Sequence, residues 1–476
     1  MHALPEPKHR HFALLFAVAF LFTSLGAQAQ QSPDPSTMAQ LDIDTAVELA
    51  LSYNLGIRSQ RIDLTIAERD YAHRFNVLIP QFAAQGTLAR PNNAPQFQDD
   101  PRWEMLGMGI EAEDPPRWNI SGTVSAQLTL SAQMLHGVRA VTNAYHNSQT
   151  ELQDAEREIE KQVRTLFYQL LLQQEQLALS QQRLAAAQAR LDEVEQNYQA
   201  GLVDELTLRR TQVALETQRP AILRQQQGFT TAKQNLAATI GIAGLTDIRD
   251  IEIIGSIEQA QRTLTAEQEL LMLLDRNSDI RSAQRGTQGI QTRIDLTRSE
   301  MLPSLTLAYS LNPTLSGDPF SGDVTDSDNW NDRGSFSLTL RQPIDPLLPG
   351  SRTRQQLANQ RDQLKQMELR VDQARSGVEL QTRRLAGEIS AANQSIESLQ
   401  SNVELAERAF ELAEEAYNSG LRDFSVVRDA EIDLADSRLQ LLQEQHRVIE
   451  LLLELEYLLN TPMDDLYIDH SKETNQ

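Results

Sequence analysis

The sequence contains no cysteine. This excludes disulfide bracing and thiolate metal sites, and it excludes acylation at a cysteine behind an export signal. Stability over 476 residues must therefore come from packing or assembly. Basic residues are in deficit, with 43 Lys and Arg against 66 Asp and Glu and a formal charge of −23. Nucleic acid is an unsuitable partner for such a chain, because phosphate binding needs clustered cations that release counterions, and no basic run stands out along the sequence. Beyond residue 30 no stretch approaches the ~20 apolar residues of a spanning helix. The other route through a bilayer is a closed β-barrel, in which every backbone donor and acceptor is paired between strands. Nucleophile elbows, phosphate loops and dinucleotide-binding glycine fingerprints are also missing. His73, His136, His146, His446 and His470 lack metal-ligand spacing, and carboxylate pairs such as Glu414-Glu415 fall on long helical stretches. The expectation is a protein without catalysis, cofactor or metal.

What is present begins with an export signal. Lys8, His9, Arg10 and His11 precede an apolar run from Phe12 to Leu25 and the small-residue site Ala27-Gln28-Ala29, the order of a cleaved signal peptide. Residues 1–29 are read as that signal, with Gln30 as the first mature residue.

The mature chain is a duplication. Asn54-Leu55-Gly56-Ile57-Arg58-Ser59 matches Asn277-Ser278-Asp279-Ile280-Arg281-Ser282, and Leu78-Ile79-Pro80 matches Met301-Leu302-Pro303, both at an offset of 223. Tyr198-Gln199-Ala200-Gly201-Leu202 matches Tyr417-Asn418-Ser419-Gly420-Leu421 at 219. The offset changes where loops intervene: the first half has a Pro- and acid-rich excursion over 90–118, and its partner is the Gly/Asp-rich stretch 312–334. The division expected is a first repeat over 30–241, a connecting or equatorial segment over 242–263, a second repeat over 264–461 and a tail over 462–476.

Each repeat holds two segments of period-2 alternation. Phe82, Ala84, Gly86 and Leu88 share a face opposite Gln81, Ala83, Gln85 and Thr87; Ile120, Gly122, Val124, Ala126, Leu128 and Leu130 oppose Asn119, Ser121, Thr123, Ser125, Gln127 and Thr129. In the second repeat Leu305, Leu307, Tyr309 and Leu311, then Phe336, Leu338 and Leu340, are set against Ser, Thr, Ala and Arg. An apolar face backed by hydroxyls and amides fits a wall between lipid and a wet lumen. Four strands cannot close a barrel, since the smallest membrane barrels have about 8. Several chains must share one, and three would supply about 12 strands.

Between the strand pairs, residues 139–200 and 353–418 form uninterrupted helical windows, each about 90 Å long at 1.5 Å per residue. Gly201 and Gly420 stop them. Val163, Leu170, Leu177, Leu184, Leu191 and Tyr198 recur every seven residues, as do Ile389, Ile396, Val403, Phe410 and Tyr417, with Ala392, Ala406 and Ala413 on a companion stripe. Such seams require coiled-coil partners, which the segments about 203–240 and 423–460 supply as antiparallel hairpins. The fold class is mainly α with membrane β. A periplasmic coiled-coil scaffold without a pore is the rival; heptads interleaved with duplicated strand pairs favour the channel.

In this order and duplication, the residues resemble the TolC outer-membrane efflux protein family over nearly the whole mature chain. The likeness is carried by Leu41 through Asn54, Pro80 and Pro303 at the openings of strands, Leu340-Arg341-Gln342-Pro343-Ile344, and the Tyr-x-x-Gly-Leu tips at Tyr198 and Tyr417. The resemblance implies a homotrimer in outer-membrane lipid, with a 12-stranded β-barrel continued by an α-barrel across the periplasm and an equatorial region built from residues such as 242–270 and the tail. It implies that the tunnel tip meets a periplasmic adaptor, or membrane fusion protein, and an inner-membrane transporter of an efflux or type I export system. The docking surface would fall at Gly201, Leu202 and Val203 and at Gly420 and Leu421. Carried over position by position, the family's gate places its aspartate at Asp429, its arginine at Arg422 and its tyrosine at Tyr417; a second aspartate of the family is Val426 here. Drug, metal and polypeptide cargo fit this duct equally.

Overall fold

A computed structural model describes residues 39–90, 118–243, 247–257, 264–315, 330–331, 333–422 and 424–466. The expected signal peptide, most of the 90–118 excursion and most of the tail lie outside these. The strands are β1 (Gln40–Leu41), β2 (Gln81–Ala89), β3 (Asn119–Leu130), β4 (Glu252–Ile253), β5 (Ser304–Leu311), β6 (Thr314–Leu315), β7 (Trp330–Asn331) and β8 (Gly334–Arg341). The helices are α1 (Ile43–Tyr53), α2 (Leu55–Ala72), α3 (Ala132–Gln199), α4 (Glu205–Ile240), α5 (Glu267–Met272), α6 (Ser278–Ser299), α7 (Arg352–Asn418) and α8 (Phe424–Leu459).

The alternating segments pair as one antiparallel sheet in the order β2-β3-β5-β8. Its register keeps like with like. Phe82, Ala126, Tyr309 and Phe336 form one row, and Leu130, Leu305 and Leu340 another. Because side chains alternate with period 2, this register puts every apolar set on the same face. That face is bare: Phe82 is 75% and Leu340 72% exposed. The opposite face is knit by hydroxyls, Thr129 to Thr306 at 3.2 Å and Ser310 to Ser335 at 2.9 Å. β6 and β7 lie inside the stretch expected to be loop, and they prolong the registers of β5 and β8. The break before β6 is Pro313, which has no N–H to donate; Gly122 opposite it donates to the Pro313 carbonyl at 2.7 Å. A Cβ on Gly122 would sit 3.2 Å from Pro313 Cγ, so glycine suits the approach.

The two long helices, α3 and α7, contain 68 and 67 residues. The first begins at Ala132 rather than at 139. Ser131, in extended conformation, is the one residue between β3 and the helix and stands at its N-cap, its N–H reaching Met134 Sδ at 3.4 Å. In the second half Pro343 delays the corresponding start, and α7 opens at Arg352 behind the N-cap Ser351, whose hydroxyl accepts the Arg354 N–H. Beside each long helix run two shorter ones placed end to end, α2 with α4 and α6 with α8. Asn54 splices the first pair: its Oδ1 accepts the N–H groups of Gly56 and Ile57 while Nδ2 donates to the Thr239 carbonyl at 2.7 Å. Asn277 splices the second, capping Asp279 and Ile280 and donating to the Leu458 carbonyl at 2.8 Å. The adjoining turn needs φ near +94° at Gly241, where a Cβ would lie 2.5 Å from the Tyr53 carbonyl oxygen. Its counterpart Asn460 adopts φ 50° and donates to the Arg276 carbonyl.

The best-buried residues gather at these junctions. One cluster unites Leu41, Phe167, Leu170, Ile240, Ile253 and Leu453; the other joins Leu274, Ile280, Leu385, Ile389, Leu452 and Leu459. Together they form a belt at the helix junctions. β1 pairs with β4 in parallel. The buried Lys233 ammonium donates to the carbonyls of Arg249 and Ile251, and the Thr265 N–H meets the Leu466 carbonyl at 2.9 Å. Buried positions are sparser along the long helices away from the belt.

Candidate functional site at the hairpin tips

α3 with α4 and α7 with α8 form two hairpins whose tips share one geometry. Gly201 (φ 76°) donates to the Tyr198 carbonyl and Leu202 to that of Asn197; Gly420 (φ 69°) donates to Tyr417 and Leu421 to Ala416. These paired bonds satisfy the last carbonyls of a helix and require a left-handed residue, hence the glycines. Leu202 and Leu421 consequently project at 74% and 77% exposure. Past the first tip, the Asp204 carboxylate accepts the Thr207 N–H at 2.9 Å and starts α4. Hydrogen bonding with Thr207 holds that carboxyl below its ordinary pKa.

Towards the tips, three polar links among the described residues tie the second hairpin to the first. The Tyr417 hydroxyl donates to Glu193 Oε1 at 2.7 Å. Arg190 Nη1 donates to Glu431 Oε2 at 2.7 Å, and Arg183 Nη2 to Asp436 Oδ1 at 2.9 Å. Bonding to Glu193 favours the neutral phenol and raises the Tyr417 pKa above its ordinary value. The two arginines lie seven residues apart on α3, so they repeat on one helix face.

Of the residues expected at a gate, Tyr417 and Arg422 line the same cavity of about 720 Å³, between α3, α4 and the start of α8. Asp429 does not line it. Its carboxylate accepts two bonds from the neighbouring Arg428, at 2.8 and 3.2 Å, and its side chain is exposed. Val203 also lines the cavity, whereas Gly201, Leu202, Gly420 and Leu421 do not. Sequence reasoning missed Glu193, Arg190 and Glu431. Glu193 adjoins the buried Val194 on α3, a flanking position at which a charge is compatible with contact to a neighbouring helix. Periodicity marks such positions but does not say which helix they meet. No grouping of three or more His, Cys, Asp or Glu suited to a metal ion occurs among the described residues.

A sequence model described as "outer membrane efflux protein" matches residues 46–242 and 270–461. No curated protein matches the sequence. In fold the chain is similar to the CmeC outer membrane channel of Campylobacter jejuni, with a TM-score of 0.72, 13% identity and 96% of each chain covered. It is similar to the outer membrane protein VceC of Vibrio cholerae at 0.68 and 18% identity, covering 88% of this chain and 96% of that one. It is also similar to the MtrE outer membrane channel of Neisseria gonorrhoeae, in its open state, at 0.65 and 16% identity, covering 88% and 89%. The overall fold is that of the solved channels. The chain belongs to the outer membrane efflux protein family, as an outer-membrane channel subunit of tripartite efflux systems that reaches into the periplasm.

Proposed function

We propose that three copies of this chain close one barrel and one tunnel, and that the assembly serves as a passive duct for solutes or polypeptides driven by an inner-membrane transporter through a periplasmic adaptor. The observation that carries the reading is the sheet itself: four strands with a bare apolar face, bounded by β2 and β8, neither of which has a second neighbour among the described strands. Unpaired backbone groups are not tolerated in lipid, so both edges need strands from other copies. The helical edges agree. α2 and α4 border one side of the protomer and expose Ile62, Val213 and Leu223; α7 borders the other and exposes Leu369, Leu380 and Leu405. Large apolar residues exposed along both flanks suit contact between copies.

At the tip, we assign the gate to the Tyr417–Glu193 bond and Arg422, with Asp429 as a charge-compensated neighbour of Arg428, and adaptor docking to Gly201, Leu202, Val203, Gly420 and Leu421. Planar-bilayer recording tests the assembly and gate together. Purified protein should run as a trimer by native mass and conduct, and Tyr417→Phe should raise the conductance. A monomer without conductance would favour the poreless scaffold, and an unchanged Tyr417→Phe channel would remove the bond from the gate.

A further inference from the structure

In a chain with a formal charge of −23, the tip cavity gathers Arg183, Arg190, Arg210, Arg422 and Arg428 around a single lining carboxylate, Glu431. The arginines come from α3, α4, the turn after α7 and α8, so no basic run announces them in the sequence. Folding alone creates the patch. Three of the five have carboxylate partners: Arg183 with Asp436, Arg190 with Glu431 and Arg428 with Asp429. Arg210 and Arg422 form no ion pair among the described residues, and the one carboxylate acting on Arg210 is the exposed Asp204 at the start of α4, outside the lining. Thr207 and Asn197 add neutral polar groups to the lining.

Such a cavity favours clustered anionic oxygens. Guanidinium forks match carboxylate and phosphate geometry and stay charged at any physiological pH. The volume, about 720 Å³, lies within the range of small-molecule sites and is far larger than a lone halide needs. We propose that this cavity binds a small polyanion, a di- or tricarboxylate or a condensed phosphate, held chiefly by Arg210 and Arg422. Glu431 competes with the ligand for Arg190. All the lining residues belong to one protomer, and they include Tyr417 and Arg422 of the gate assigned above.

Isothermal titration calorimetry on the purified full chain in detergent, at constant ionic strength, tests it with citrate and with pyrophosphate. Saturable binding of about one anion per chain is expected for at least one, and the stronger of the two identifies carboxylate or phosphate recognition. The double variant Arg210→Gln/Arg422→Gln should weaken that binding about tenfold or more, the scale of a lost charge-assisted bond. No saturable heat with either anion, or an unchanged affinity in the double variant, would overturn the proposal. Should the double variant fail to fold, Glu431→Gln decides: it removes the competing carboxylate and should tighten binding, and unchanged or weaker binding would overturn the site.

Discussion

Asn54 and Asn277, 223 positions apart, make the same three hydrogen bonds: each caps its own helix with Oδ1 and clasps the end of another helix with Nδ2. The duplicated chain therefore repeats a joint, by which a short helix is continued by a second one alongside an unbroken long helix. Asn277 is the more deeply placed, at 2% exposure.

Asn277→Asp separates the two jobs of this residue. The carboxylate keeps the cap but cannot donate to the Leu458 carbonyl, and it sets two acceptors against each other in a buried place. A loss of about 1–3 kcal/mol is expected, seen as a lower thermal midpoint of the helical circular-dichroism signal. Asn54→Asp, at a less buried joint, should cost less.

His446, on α8, gives the fold a pH dependence. The ring is 6% exposed and its Nε2 has no hydrogen-bond partner among the described residues. Burial pushes its pKa below the ordinary value, against a smaller opposing pull from Glu450. The folded state thus takes up a proton less readily than the unfolded chain. Stability is full above the unfolded pKa of about 6.5 and declines as pH falls through it. Thermal midpoints at pH 8 and pH 5 should differ more in the wild type than in His446→Leu; equal differences would show that His446 takes up its proton as readily in the folded state as in the unfolded chain.

The sheet predicts an asymmetry between neighbouring residues. Leu338→Arg places a charge on the bare face, at about 2–4 kcal/mol near the bilayer midplane. Ser337→Arg points to the hydroxyl face and should be tolerated. Fractionation after expression should find the first depleted from the outer membrane and the second retained.

Much of this architecture was legible because it is periodic. The seven-residue recurrence from Val163 to Tyr198 and the two-residue alternation from Ile120 to Leu130 state their own geometry, and Gly201 and Gly420 mark turns that only a left-handed residue closes. What stayed hidden depends on which helix lies beside which. The match of Asn54 to Asn277 was visible, but their joints were not, since Thr239 and Leu458 meet them only after folding. For the same reason the five tip arginines, scattered from 183 to 428, gave no sign of a basic patch. Glu193 as the partner of Tyr417 has no counterpart in the repeat, because Leu412 stands at the matching position.

The absence of native cysteine permits a direct test of shared closure. A cysteine at Ala83 in β2, combined in turn with one at each position of β8 from 334 to 341, should at some register form disulfides between chains when the protein is oxidised in the membrane. Denaturing electrophoresis without reductant should then show a covalent species that stops at three chains. Cross-linking that stays at one or two chains at every register, or that runs on into open polymers, would contradict the shared trimeric barrel.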